Sequence, residues 1–75
     1  MDTTAAGRLV AEQMEALEAD FGDEFEIGAV VTIVEVRGPD GSAFRIRNNL
    51  AEGTQVLGVL RLAEDEWIRH MRSGD

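Results

Sequence analysis

An α+β chain of order helix, strand, strand, helix is predicted by three observations: helical apolar spacing near each end, a β-branched run between them, and a Gly-Pro-Asp-Gly break inside that run. The reading is a two-stranded antiparallel hairpin with two flanking helices, forming one small domain over residues 1–75. Dimerisation would extend the sheet or pack one sheet on another. The competing order is α-β-β-β-α.

The first helix rests on Val10, Met14, Leu17 and Phe21, which recur at i, i+4, i+7 and i+11 with Ala6 beside them. Thr3 or Thr4 is expected to cap its start, and Gly22 to stop it in a left-handed conformation. At about 100° per residue, Glu12, Glu15 and Glu18 project to the side away from the apolar stripe.

The first strand is read from Ile27 to Arg37, and the second from Ser42 to Asn48. A three-residue loop, Pro39-Asp40-Gly41, with a glycine bulge pairs Val36 with Phe44, Val34 with Ile46, Glu35 with Arg45 and Ile33 with Arg47. That register puts Val30, Val34, Val36, Phe44 and Ile46 on a core face and makes Glu35 and Arg45 a cross-strand ion pair. Ile27, Ala29, Val31 and Ile33 then lie on the nominal solvent face, where a second protomer's sheet or another partner is expected to cover them.

The last helix is read from Leu50 onward on Val56, Leu60, Ala63, Trp67 and Met71, with Val59 and Ile68 flanking. Asn49-Leu50-Ala51-Glu52 has the form of a capping box. Gly53, Gly58, Val56 and Val59 weaken the helical pattern and support the alternative, a third strand over Gln55 to Leu62. The unbroken stripe favours the helix.

Composition narrows the functional classes. The chain has no Cys, so disulfides, thiolate zinc sites and thiol nucleophiles are closed to it. A single core of this size supplies no more than about 3–5 kcal/mol, which makes a homodimer the expected source of further burial. There is no apolar run of membrane-spanning length, and Met1-Asp2-Thr3-Thr4 has neither a basic nor an apolar leader pattern, so a cytoplasmic location is expected.

The formal charge of -8 disfavours direct nucleic-acid binding and suits a basic protein partner. Residues 1–36 hold nine acids and one Arg, whereas residues 37–75 hold six of each, so the excess belongs to the first helix and its exit. All seven basic residues are Arg, a hint of a GC-rich genome.

In element pattern, Glu26-Ile27-Gly28-Ala29-Val30-Val31-Thr32-Ile33-Val34-Glu35-Val36-Arg37, then Gly41-Ser42-Ala43-Phe44-Arg45-Ile46-Arg47 and Val56-Leu57-Gly58-Val59-Leu60-Arg61, the chain resembles small uncharacterised acidic proteins of actinobacteria and their bacteriophages. The resemblance covers residues 20–65 or so. It implies an origin and a fold and brings no activity with it.

Candidate chemistry is sparse. Asp20-Phe21-Gly22 repeats the trigram with which protein kinases hold Mg²⁺, but the chain has no room for the elements that give it meaning. The spacing of an EF-hand loop is missing as well, since Gly22 stands where its third ligand would be. Glu66 and His70 are spaced i, i+4, yet no second His or Cys completes a zinc set. Ser42 and Ser73 lack the strand-to-helix elbow of a serine nucleophile. Arg37, Arg45 and Arg47 cluster on the hairpin without an aromatic to stack a base.

No catalytic residue, cofactor or metal is therefore expected. The expected function is a non-enzymatic acidic binding or regulatory module, phage-encoded and acting on a host protein. Glu12, Glu15 and Glu18 would steer the partner, Ile27, Val31 and Ile33 would give apolar contact, and Trp67 would serve as core or interface anchor. The rival readings are a DNA-mimic inhibitor and a virion assembly component.

Overall fold

The computed structural model describes residues 1–74. Its elements are α1 (Thr4–Phe21), β1 (Val31–Gly38), β2 (Gly41–Asn48) and α2 (Gly53–Arg72), with β1 and β2 antiparallel. The order is α-β-β-α. Residues 55–62 lie inside α2, so the third-strand alternative does not hold.

Neither threonine caps α1 in the expected way. Thr3 occupies the cap position with no side-chain bond to the helix, while Asp2 Oδ1 accepts the Thr4 N–H at 2.9 Å. At the other end Gly22 adopts φ 79°, ψ -169°, a region open essentially to glycine alone, and its N–H bonds to the Glu18 carbonyl at 3.2 Å. A tight turn follows, closed by the Phe25 N–H on the Gly22 carbonyl at 3.4 Å.

The hairpin turns on two residues rather than three. Gly38 pairs with Gly41, so the register runs Val36 with Ala43, Glu35 with Phe44, Val34 with Arg45 and Ile33 with Ile46, one residue away from the expected pairing. The reason lies in the turn. Primed two-residue turns need positive φ at their first central residue, which Pro39 cannot adopt, and Asp40 is not at positive φ either. Gly41, at φ 126°, takes up the reversal within the ladder, with no extra residue to form a bulge.

A one-residue change of register regroups every cross-strand neighbour. Ile33, Ile46 and Phe44 now share one face with Val31, whereas Val34, Val36 and Ala43 share the other with Arg45 and Arg47. The expected Glu35–Arg45 ion pair is thereby lost. Glu35 instead accepts from Arg37 Nε at 2.9 Å on its own strand.

β1 is shorter than expected because β2 ends at Asn48, which leaves residues 27–30 no strand to pair with. The Asn49 side chain substitutes for one. Its Oδ1 accepts the Val30 N–H at 2.8 Å and its Nδ2 donates to the Gly28 carbonyl at 2.9 Å, while its own N–H reaches the Val30 carbonyl at 3.2 Å.

Asn49 is thus committed to the strand and is not the cap of α2. The cap is Glu52, with Gln55 Oε1 accepting the backbone N–H groups of both Ala51 and Glu52 at 3.1 Å. Asn48 Oδ1 meanwhile accepts the Leu50 N–H at 2.9 Å, which shapes the corner between sheet and helix.

Among the described residues none is buried. Half-buried Val30, Val31, Leu50, Val56, Val59 and Leu60 gather where β1 begins and α2 makes its first turns, and α2 packs on β1 there. The expectation of two helices backing one sheet face is met by α2 only. Among the described residues α1 makes no extensive contact with another element, although its Leu17 is half-buried. The molecule is accordingly extended: its radius of gyration is 15.0 Å, against about 11 Å for a compact domain of this length.

Candidate functional site

The best-formed concavity lies where α1 ends and the chain turns back toward β1. Its floor is Met14, Leu17, Phe21, Phe25 and Ile27, and its volume is about 800 Å³. The Gly22 turn creates it by bringing the Phe25 ring edge-on to Phe21, with centroids 5.4 Å apart and planes at 67°. Glu18, Asp23 and Glu26 stand around the rim. The result is an open apolar groove with a carboxylate margin.

Glu18 is therefore not on the far side of α1, as its projection suggested, but beside the stripe. Glu12 and Glu15 do not line the groove. Among the described residues, none of the acids of α1 or its exit lies within ion-pair distance of an arginine. Their charge faces water unneutralised.

The expected contact residues separate. Ile27 lines the groove and Ile33 stands on the sheet face with Ile46, both well exposed, whereas Val31 is half covered by its own chain. Trp67 lies on α2, 62% exposed, with the His70 ring tilted 31° against it at 5.1 Å. A second, shallower hollow forms around Ala63, Glu66, Trp67 and His70.

Glu66 is engaged elsewhere, 3.3 Å from Arg69, which also reaches Asp65 at 3.7 Å. Among the described residues no three His, Asp or Glu side chains converge in a way that could hold a metal ion. The hairpin arginines divide between faces, Arg45 and Arg47 on one and Arg37 on the other. Arg45, Arg47, Arg61 and Arg72 have no carboxylate partner among the described residues.

No family model, curated protein or solved structure matches this chain. What the site can do rests on its own geometry. An open apolar floor with a charged margin is the kind of surface suited to holding another apolar surface of opposite charge. The groove was hidden in the sequence because Phe25 falls outside any periodic element and Ile27 reads as the start of the first strand, whereas the turn at Gly22 folds both back on α1. The one available signal was Gly22 itself, set between two phenylalanines.

No helix among the described residues is long and apolar enough to cross a membrane.

Proposed function

We propose that the protein is a non-enzymatic, acidic binding module, phage-encoded and cytoplasmic, that docks a basic host protein. The observation that supports this most is the unneutralised carboxylate column of α1 and its exit, adjoining exposed apolar side chains on α1 and the hairpin. Long-range attraction from such a column speeds encounter with a basic surface, and the apolar residues then provide contact area. Glu12 and Glu15 on the outer side of α1 supply the steering, and Ile33 the apolar contact.

The experiment is capture of proteins from an actinobacterial lysate at low and high salt, using the wild type and Glu12→Arg/Glu15→Arg. Glu18 is left unchanged because it lines the groove. A single basic protein held by the wild type and lost by the variant, with the helical circular dichroism unchanged, is the expected result. Equal capture by the variant would show these carboxylates to be a solvated face only. Displacement of the captured protein by duplex DNA would assign the DNA-mimic role instead.

A further inference from the structure

The surface area of the chain says that it is incomplete alone. It exposes 7061 Å², whereas a folded monomer of its mass exposes about 4,500 Å². The excess of about 2,500 Å² per chain is of the order that obligate dimers bury, roughly 2,000–5,000 Å² in total. α1 contributes to it, since Val10, Met14 and Phe21 of its apolar stripe remain 54%, 38% and 53% exposed.

Charge selects the surface that covers α1. Two α1 helices set against each other would oppose carboxylate to carboxylate, because Arg8 is the one basic residue before Arg37. The last turns of α2 offer the complement: Trp67 and Met71 are 62% and 58% exposed on one helical face, Arg69 neutralises Asp65 and Glu66 within the helix, and Arg72 has no carboxylate partner among the described residues. Trp and Met are well suited to anchoring an interface, one by area and the other by adaptability.

We propose that the groove at the end of α1 is the receptor for α2 of a second copy of this chain, exchanged reciprocally in a two-fold homodimer. Trp67 and Met71 of each copy enter the floor formed by Phe21, Phe25 and Ile27 of the other, and Arg72 meets the Glu18, Asp23 and Glu26 margin. The arrangement is closed, because the reciprocal two-fold exchange fills both grooves with both anchors inside the pair and leaves none for a third chain. It covers the acidic exit of α1 that the basic-partner reading also draws on, and leaves Glu12 and Glu15 outside the groove.

The absence of native cysteine gives a direct test on the full chain. Ile27→Cys and Met71→Cys chains, one of them tagged for mass, are mixed, equilibrated and oxidised under non-denaturing conditions. Light scattering of the wild type should give twice 8.2 kDa, and the mixture should form the 27–71 cross-linked heterodimer in preference to 27–27 or 71–71 products.

Arg72→Glu should weaken the dimer by about a hundredfold, since the two-fold arrangement loses the charge-assisted contact twice, at about tenfold each. Mixing Arg72→Glu with Glu18→Arg should recover part of that loss. Trp67, the single Trp, reports the same event in the unmodified protein: its emission should shift to the red on dilution. A cooperatively folded species of 8.2 kDa, an open-ended oligomer, or a dimer giving 27–27 cross-links in place of 27–71 would each overturn the proposal.

Discussion

Asn49 holds the segment leading into β1 with both ends of its side-chain amide. Asn49→Ala removes two hydrogen bonds and leaves the Val30 N–H without a protein acceptor, at a cost of roughly 1–2 kcal/mol. Urea unfolding would measure it as a lower midpoint at unchanged slope. Gly41 is as constrained, because φ 126° is closed to residues with a Cβ. Gly41→Ala should cost about 1 kcal/mol or more and disturb the hairpin, visible as lost cross-strand contacts by NMR. At the start of α1, the Thr4 hydroxyl and then the Thr4 backbone N–H hold the Asp2 carboxyl below the usual aspartate range. A group depressed in the folded state stabilises it above the ordinary aspartate pKa, and that contribution is lost as pH falls through the lowered folded-state value. Wild type and Asp2→Ala should therefore differ in α1 helicity at neutral pH and converge in acid, as followed by circular dichroism.

At the scale of elements, both helices were legible because their apolar residues repeat every three or four positions, and packing of those stripes, not propensity, decides where a helix forms. The strands were legible as elements but not in register. From Val30 to Val34 nearly every side chain is β-branched and apolar, so the alternation that would choose between two pairings is absent, and the turn decides instead. On sequence alone Gly41 is the third loop residue, and the structure makes it the first of β2. The Asn49 clasp was equally invisible, because an asparagine before a helix reads as a cap. Ile33 now faces Ile46 across the ladder, a pair legible only once the register is known. α1 carries a separate weakness in Gly7, which has no neighbouring atom where a Cβ would stand. Gly7→Ala should stabilise α1 by about 0.5–1 kcal/mol, read as increased ellipticity without a change in association.

For the whole molecule, the shortage of burial determines how it unfolds. A full side-chain burial is worth about 1.5–3 kcal/mol, and among the described residues none achieves it within one chain. A hairpin with one attached helix and a largely exposed amphipathic helix has little burial to offset its conformational entropy, so the proposed dimer requires that folding and association be one step. When two chains fold into a single species, mass action favours the folded state as concentration rises. The melting temperature should therefore increase with protein concentration, with the Trp67 signal and the helical signal moving together. Ile33→Asp would place a charge beside Ile46 on the apolar sheet face. If that face is covered in the assembled protein, the uncompensated charge costs several kcal/mol and the variant should be unfolded or monomeric at concentrations where the wild type is paired. Sedimentation and melting of that variant separate the two faces of the argument. Unchanged mass together with unchanged melting would show that the sheet face stays in water and takes no part in any association.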